Sequence, residues 1–325
     1  MSIKKLLIAA ASAAAVTAAA ASTSSADQIV LDLTHPIPTF APTEGDPTTP
    51  DMSQPWGDPT IFPSFGAPAV LAISQFPTNQ GHFDLGQLII SEHHGPHLDA
   101  ASHFVNNDAS MEDGGMPASE RASTDELGAS DLIGRVVLID ISGRVQSELD
   151  KNGGVPSPDT SVTNFSNDSN AVVTAADIDA VADQLDDGVW LVLNLGWSRF
   201  YFDPNPDFGT GPYINGFNHP GISKAAVDRL IEIMEERGIR IGGIIADNIG
   251  IDSGDSAIGD DDQWTNSWHA HVRLLQRGVM FVENAANLDQ IASVGDASAC
   301  TLIVGAPKHV RGTGGPSRIL AICDS

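Results

Sequence analysis

The chain has 325 residues, with 42 acidic against 16 basic side chains and a formal charge of −26. That balance excludes nucleic acid as a partner, because phosphate binding runs on clustered Lys and Arg, and it disfavours docking on an anionic membrane surface. With 42% hydrophobic and 18% charged residues, the composition is that of a folded chain and not of a disordered one.

In chain order, Lys4 and Lys5 open a basic region, Leu6 to Ala21 is an almost unbroken Ala-rich apolar run, and Ser24-Ser25-Ala26 offers a cleavage site before Asp27. That order of parts predicts a secretory signal over residues 1–26. The run is too short and too weakly apolar for a membrane span of about 20 residues. The expectation is therefore a periplasmic or secreted protein, free of the membrane once the signal is removed, with 27–325 as a single domain. Cleavage would remove two Lys and no acid, taking the charge to −28.

IVLDLTHPI reads as a strand, and the stretch from Pro38 to Pro68, dense in Pro and Gly, as an irregular arm or lid. Gln87-Leu88-Ile89-Ile90 is a strand leading into SEHHGPHLDAASHF, and RVVLIDI (135–141) is a buried strand. Thr174 is the N-cap of a helix that Gly188 closes, and VWLVLNL (189–195) is the next central strand. Ser223 caps a helix through Arg237, stopped by Gly238, with Ala226, Val227, Leu230, Ile231 and Met234 on one face. Ile241 to Ala246 is a further strand, a third helix runs from Ser267 to Arg277, and VMFVE follows as a strand. NFSNDSN near residue 167 and Asp260-Asp261-Asp262 read as solvated insertions, the latter without EF-hand spacing. Alternating helices and buried strands in the second half make this a mixed α/β chain. Cys300 and Cys323, the only cysteines, can pair in an oxidising compartment if their Cα atoms come within about 7 Å; the sequence leaves that open.

Four of the ten histidines fall between positions 93 and 103. Gly95 and Pro96 rule out a regular helix there, so an extended backbone would aim His97 and Asp99, at i and i+2, to one side. Imidazole nitrogen with carboxylate oxygen is the donor set of a catalytic zinc or manganese site, and two distant cysteines exclude a thiolate one. Apolar flanks argue for a partly buried cluster, where a surface His tract would be polar on both sides. In the second half, His271 lies on the third predicted helix and Glu283 ends the strand after it. A carboxylate in an apolar strand is costly unless paired or bound to metal.

HHGPHLDAASH resembles the signature H-x-G-T-H-x-D-x-P-x-H of the cyclase family of metal-dependent hydrolases, which includes bacterial kynurenine formamidase and isatin hydrolase. Pro96 and Ala101 depart from it, at positions that supply no metal bond. DLTHPIP, LGWSRFY, HPGIS, GID ending at Asp252, HVRLLQRGVMFVENAANL and GTGGPSRILAI extend the similarity in order across most of the mature chain.

The resemblance implies a swivelling β/β/α fold and a homodimer or larger homo-oligomer. It implies one or two divalent ions, Zn²⁺ or Mn²⁺, held by His93, His97, Asp99, His271 and Glu283, and His103 as the catalytic histidine. The implied chemistry is hydrolysis of an amide-type C–N bond in a small molecule, a cyclic amide or imide such as isatin or an N-formyl aromatic amine, by an activated water. Trp56 and Trp197 are candidate pocket walls for such a flat substrate, with Trp264 and Trp268 available for the same purpose. Rival readings are a lactone hydrolase, a lyase or cyclase using the same metal, and a non-catalytic metal- or ligand-binding protein.

Overall fold

The computed structural model describes residues 28–37, 39–43, 46–56, 69–74, 85–104, 114–201, 211–255 and 268–324. Its strands in chain order are β1 (Gln28–Asp32), β2 (Thr39–Thr43), β3 (Asp46–Trp56), β4 (Ala69–Ser74), β5 (Leu85–Ile89), β6 (His97–Asp99) and β7 (Ile133–Asp140). Then come β8 (Trp190–Asn194), β9 (Gly243–Ala246), β10 (Met280–Glu283), β11 (Cys300–Gly305), β12 (Gly314–Pro316) and β13 (Arg318–Asp324). The helices are α1 (Ser142–Asp150), α2 (Ala175–Val181), α3 (Lys224–Arg237), α4 (His269–Leu275) and α5 (Asp289–Ser293).

Nine strands form one sheet in the order β1-β13-β11-β7-β8-β9-β10-β6-β12. The four central strands β7, β8, β9 and β10 are mutually parallel, and antiparallel strands continue the sheet on both sides. A parallel centre must be covered on both faces, which is why these strands read as unbroken apolar runs. All five residues of β8 are buried. On one face Leu191, Leu193 and Phe281 pack against α1, α2, α3 and α4 through Leu149, Ile178, Leu230 and Leu274. On the other, Trp190, Val192 and Val282 pack with Leu302, Ala321 and α5.

The caps explain where the helices begin and end. Thr174 accepts from Asp177 N while the Asp177 carboxylate accepts from Thr174 N, a reciprocal capping box. Ser223 caps α3, and Gly238 ends it in the left-handed conformation at φ 64°. The helix expected as far as Gly188 is shorter, because after α2 the chain tightens into a 3-10 turn at Ala182–Gln184. Helix α1 was not expected. Val145 and Leu149 alone form its buried apolar stripe in SGRVQSELD, too short a pattern to stand out.

The Pro-dense stretch is a correction to the sequence reading. Where an irregular arm was expected, β2 and β3 pair antiparallel inside a four-stranded sheet of order β3-β2-β4-β5. Pro47, Pro50 and Pro55 are tolerated because β3 is an edge strand, and the register shifts around Pro42. The insertion near residue 167 is anchored, since Phe165 is fully buried and its amide donates to Asn218 Oδ1. The 260–262 run and residues 1–26 lie outside the described residues. Among those described, no helix is long and apolar enough to cross a membrane. Cys300 and Cys323 face each other across β11 and β13 and form a disulfide.

Candidate metal centre

The carboxyl ends of parallel strands and the antiparallel neighbour β6 meet at one place. The register sets His97 opposite Glu283 and Asp99 opposite Phe281. Within β6, His97 and Asp99 point to one side and Leu98 to the core behind, as the i, i+2 spacing predicts. His93 enters from the turn before β6, where Gly95 takes φ +63°, and His271 from α4.

All five expected ligands converge. His97 Nε2 lies 3.2 Å from Asp99 Oδ1 and 3.6 Å from Glu283 Oε2. His271 Nε2 lies 3.2 Å from Glu283 Oε1 and 3.6 Å from Asp99 Oδ2, and His93 Nδ1 lies 2.6 Å from Asp99 Oδ1. His97, Asp99, His271 and Glu283 are buried. The ring of His103 stacks on His93 with centroids 3.8 Å apart. Donor atoms of His97, Asp99 and Glu283, and likewise of His93, Asp99 and His103, lie within 4.8 Å of one another.

The outer hydrogen bonds fix which nitrogen faces inward. His97 Nδ1 is 2.7 Å from the Gly95 carbonyl, which can only accept, so Nδ1 carries a proton and Nε2 is the nitrogen that faces inward. His271 Nδ1 is held in the same way by Asp252 Oδ2 at 2.6 Å. Asp252 also accepts from Ala270 N at 2.7 Å, capping the first turn of α4 and fixing the helix that presents His271. The Nε2 atoms of two imidazoles thus face two carboxylates, and Asp99 Oδ2 is buried without a hydrogen-bond partner among the described residues. Outward-bonded imidazoles around carboxylates make a cage for a divalent cation, so the residues present fit such an ion.

The electrostatics agree. Burial works against charge on His97, but the carboxylates of Asp99 and Glu283 outweigh it and lift its pKa to about 9. His271 is likewise raised, its bond to Asp252 and the nearby carboxylates of Asp99 and Glu283 overcoming burial. Asp99 is held well below the usual carboxylate range despite burial, by the histidines around it. Without a cation, protons take its place between these groups. His103 goes the other way: burial pushes it down to about 4.

Of the expected pocket walls, Trp197 is a core residue. It is fully buried, its indole N–H donates to the Tyr213 carbonyl at 2.8 Å, and it packs on Phe165 and Phe200. The Trp56 side chain and Trp264 lie outside the described residues. Trp268 does border the centre, with its ring 5.4 Å from that of His271, in the company of Phe104 and Phe217. Sequence reasoning missed Asp252 as the partner of His271, and it missed Phe104 and Phe217. Asp252 ends the GID segment, and that was the only signal available for it.

The family model described as Putative cyclase matches residues 31–253. Among solved structures, isatin hydrolase A from Labrenzia aggregata, bound to benzyl benzoate, is 24% identical, with 92% of this chain and 94% of that chain covered and a TM-score of 0.60. An isatin hydrolase bound to the product analogue thioisatinate is 23% identical, with 92% and 93% covered and a TM-score of 0.60. Isatin hydrolase A from Ralstonia solanacearum is 18% identical, with 91% and 92% covered and a TM-score of 0.59. No curated protein sequence matches the chain. The solved structures share the fold expected from the resemblance, and with the family model spanning more than half its length, the chain belongs to the Putative cyclase family.

Proposed function

We propose that this protein is a metal-dependent hydrolase that opens an amide-type C–N bond in a small planar substrate, a cyclic amide or imide of the isatin kind or an N-formyl aromatic amine. The observation that carries the reading is the convergence of His97 Nε2 and His271 Nε2 on Asp99 and Glu283 beside His103. His93, His97, Asp99, His271 and Glu283 would hold the ion, zinc or manganese by its donor set. Such an ion polarises a carbonyl and lowers the pKa of a bound water from about 16 toward 7.

The chain's own residues supply the rest. His103, pushed down to about 4 by burial, is neutral at pH 7 and free to accept a proton. It takes one from the attacking water and returns it to the departing nitrogen as the C–N bond breaks. Phe104, Phe217 and Trp268 are half-buried around His271. Phe217 and Trp268 take left-handed backbone conformations at φ 64° and 55°, which cost about 1–3 kcal/mol each and persist where a site needs them. Their faces suit a flat aromatic substrate, and the isatin hydrolases that share this fold accord with that class. The Cys300–Cys323 disulfide supports an oxidising compartment and hence an exported protein.

The test is metal analysis coupled to a screen of cyclic imides, N-formyl arylamines and lactones, with and without chelator. Mass spectrometry should find a product heavier by one water from an amide substrate, and chelation should abolish its formation. Turnover insensitive to chelator, or none on any amide, would overturn the proposal.

A further inference from the structure

The run Gly312-Thr313-Gly314-Gly315 does more than start a closing strand. Thr313 sits between two glycines that admit imidazole rings. A Cβ on Gly314 would lie 2.4 Å from His93 Cε1, and one on Gly312 would lie 2.3 Å from His309 Nε2. Such approaches demand glycine. The Thr313 carbonyl accepts from Ala100 N at 2.9 Å, which ties its backbone to the end of β6. Its amide donates to Glu92 Oε2 at 3.1 Å and its hydroxyl donates to the same oxygen at 2.7 Å. The other oxygen of Glu92 meets His309 Nε2 at 2.6 Å.

A threonine hydroxyl has one proton to give. With that proton on Glu92, Thr313 Oγ1 can only accept from His93 Nε2, 3.0 Å away. With an ion bound, the one His93 proton then sits on Nε2, which leaves Nδ1, 2.6 Å from Asp99 Oδ1, as the nitrogen that faces the cation. His97 and His271 receive the same treatment from Gly95 and Asp252, with the opposite ring nitrogen facing inward.

We propose that Thr313, anchored by Glu92, is a positioning residue that fixes the proton of His93 on Nε2 and thereby makes Nδ1 the third imidazole donor of the cation cage. This rests on the metal-centre reading above. Thr313 touches no ligand atom that faces the cage, so it acts only through the tautomer and angle of His93.

The test is zinc affinity by chelator competition on the full chain, with ring ¹⁵N NMR of the zinc-loaded protein to locate the His93 proton. Thr313→Val keeps the shape and removes the acceptor, and should weaken zinc binding about 10–100-fold, while Thr313→Ser restores it. Should Thr313→Val fail to fold, Glu92→Ala carries the test: the freed hydroxyl proton turns toward His93 Nε2, the imidazole proton moves to Nδ1, and affinity falls. Wild-type affinity in Thr313→Val, or a loss in Thr313→Ser equal to that in Thr313→Val, overturns this inference alone. A wild-type protein that binds no divalent ion overturns the metal-centre reading with it.

Discussion

His97 and His271 each carry one proton on the outer nitrogen and, without a cation, acquire a second on the inner one. With His97 at about 9, that inner proton is held at pH 7 and an incoming ion must displace it. Metal affinity should therefore weaken as pH falls below about 9, by about tenfold per unit for each proton displaced. Calorimetry in buffers of different ionisation enthalpy should record at least one proton released per ion at pH 7. His103→Ala should lower kcat about 10²–10⁴-fold with bound metal unchanged, as steady-state kinetics and metal analysis would read. His219 has a different role. It is buried outside the cage and held at about 4 by burial, against an ordinary value near 6.5. Its neutral form is the folded one, so this contribution is complete above pH 6.5 and is lost as pH falls toward 4, about 3 kcal/mol in all. Denaturant titrations of His219→Gln should show a flatter acid limb than wild type. At this scale the cage was legible because His93, His97, Asp99 and His103 crowd into eleven residues, whereas Asp252 and Thr313 act through the proton on another residue's ring, which leaves no local pattern. Trp197 was misplaced for a related reason: composition does not distinguish an indole that lines a pocket from one that fills a core.

Elements were readable where burial imposes a period. The strands β7 to β10 are apolar on both faces and α3 shows its stripe and both caps, so each could be placed from the residues alone. The β2–β3 pair escaped because an edge strand needs no donor on its outer side and so tolerates proline. Element ends also carry measurable stability. Thr174→Ala removes half of a capping box and should cost about 1 kcal/mol. The Cys300–Cys323 bond closes a loop of sequence separation 23, and replacing both by Ser should cost about 3 kcal/mol on the loop-entropy estimate. Thermal melts of these variants, with the reduced wild type as a control, would check both; an unchanged melting temperature in the double Ser variant would contradict the second.

For the whole molecule, charge dominates. With 42 acidic against 16 basic residues, repulsion among carboxylates outweighs the few Arg–Asp pairs such as Arg144–Asp177 and Arg318–Asp32. Raising salt from about 0.15 to 1 M shortens the screening length from about 8 to 3 Å, so the melting temperature should rise with NaCl; a fall would mean that the surface ion pairs prevail. The fold class was legible in the alternation of helix and strand, but the way β6 and β12 complete the far edge of the sheet was not, because β6 is only three residues long.

That short strand has a consequence for how the protein matures. His97 and Asp99 lie early in the chain, Glu283 late, and only the β6–β10 seam brings them level. A nascent polypeptide can assemble much of its α/β centre and still lack part of the proposed donor set. On the proposed metal-centre reading the full donor set exists only once β10 has been made, so fragments ending before β10 lack Glu283 and should bind an ion more weakly than the whole chain however well they fold.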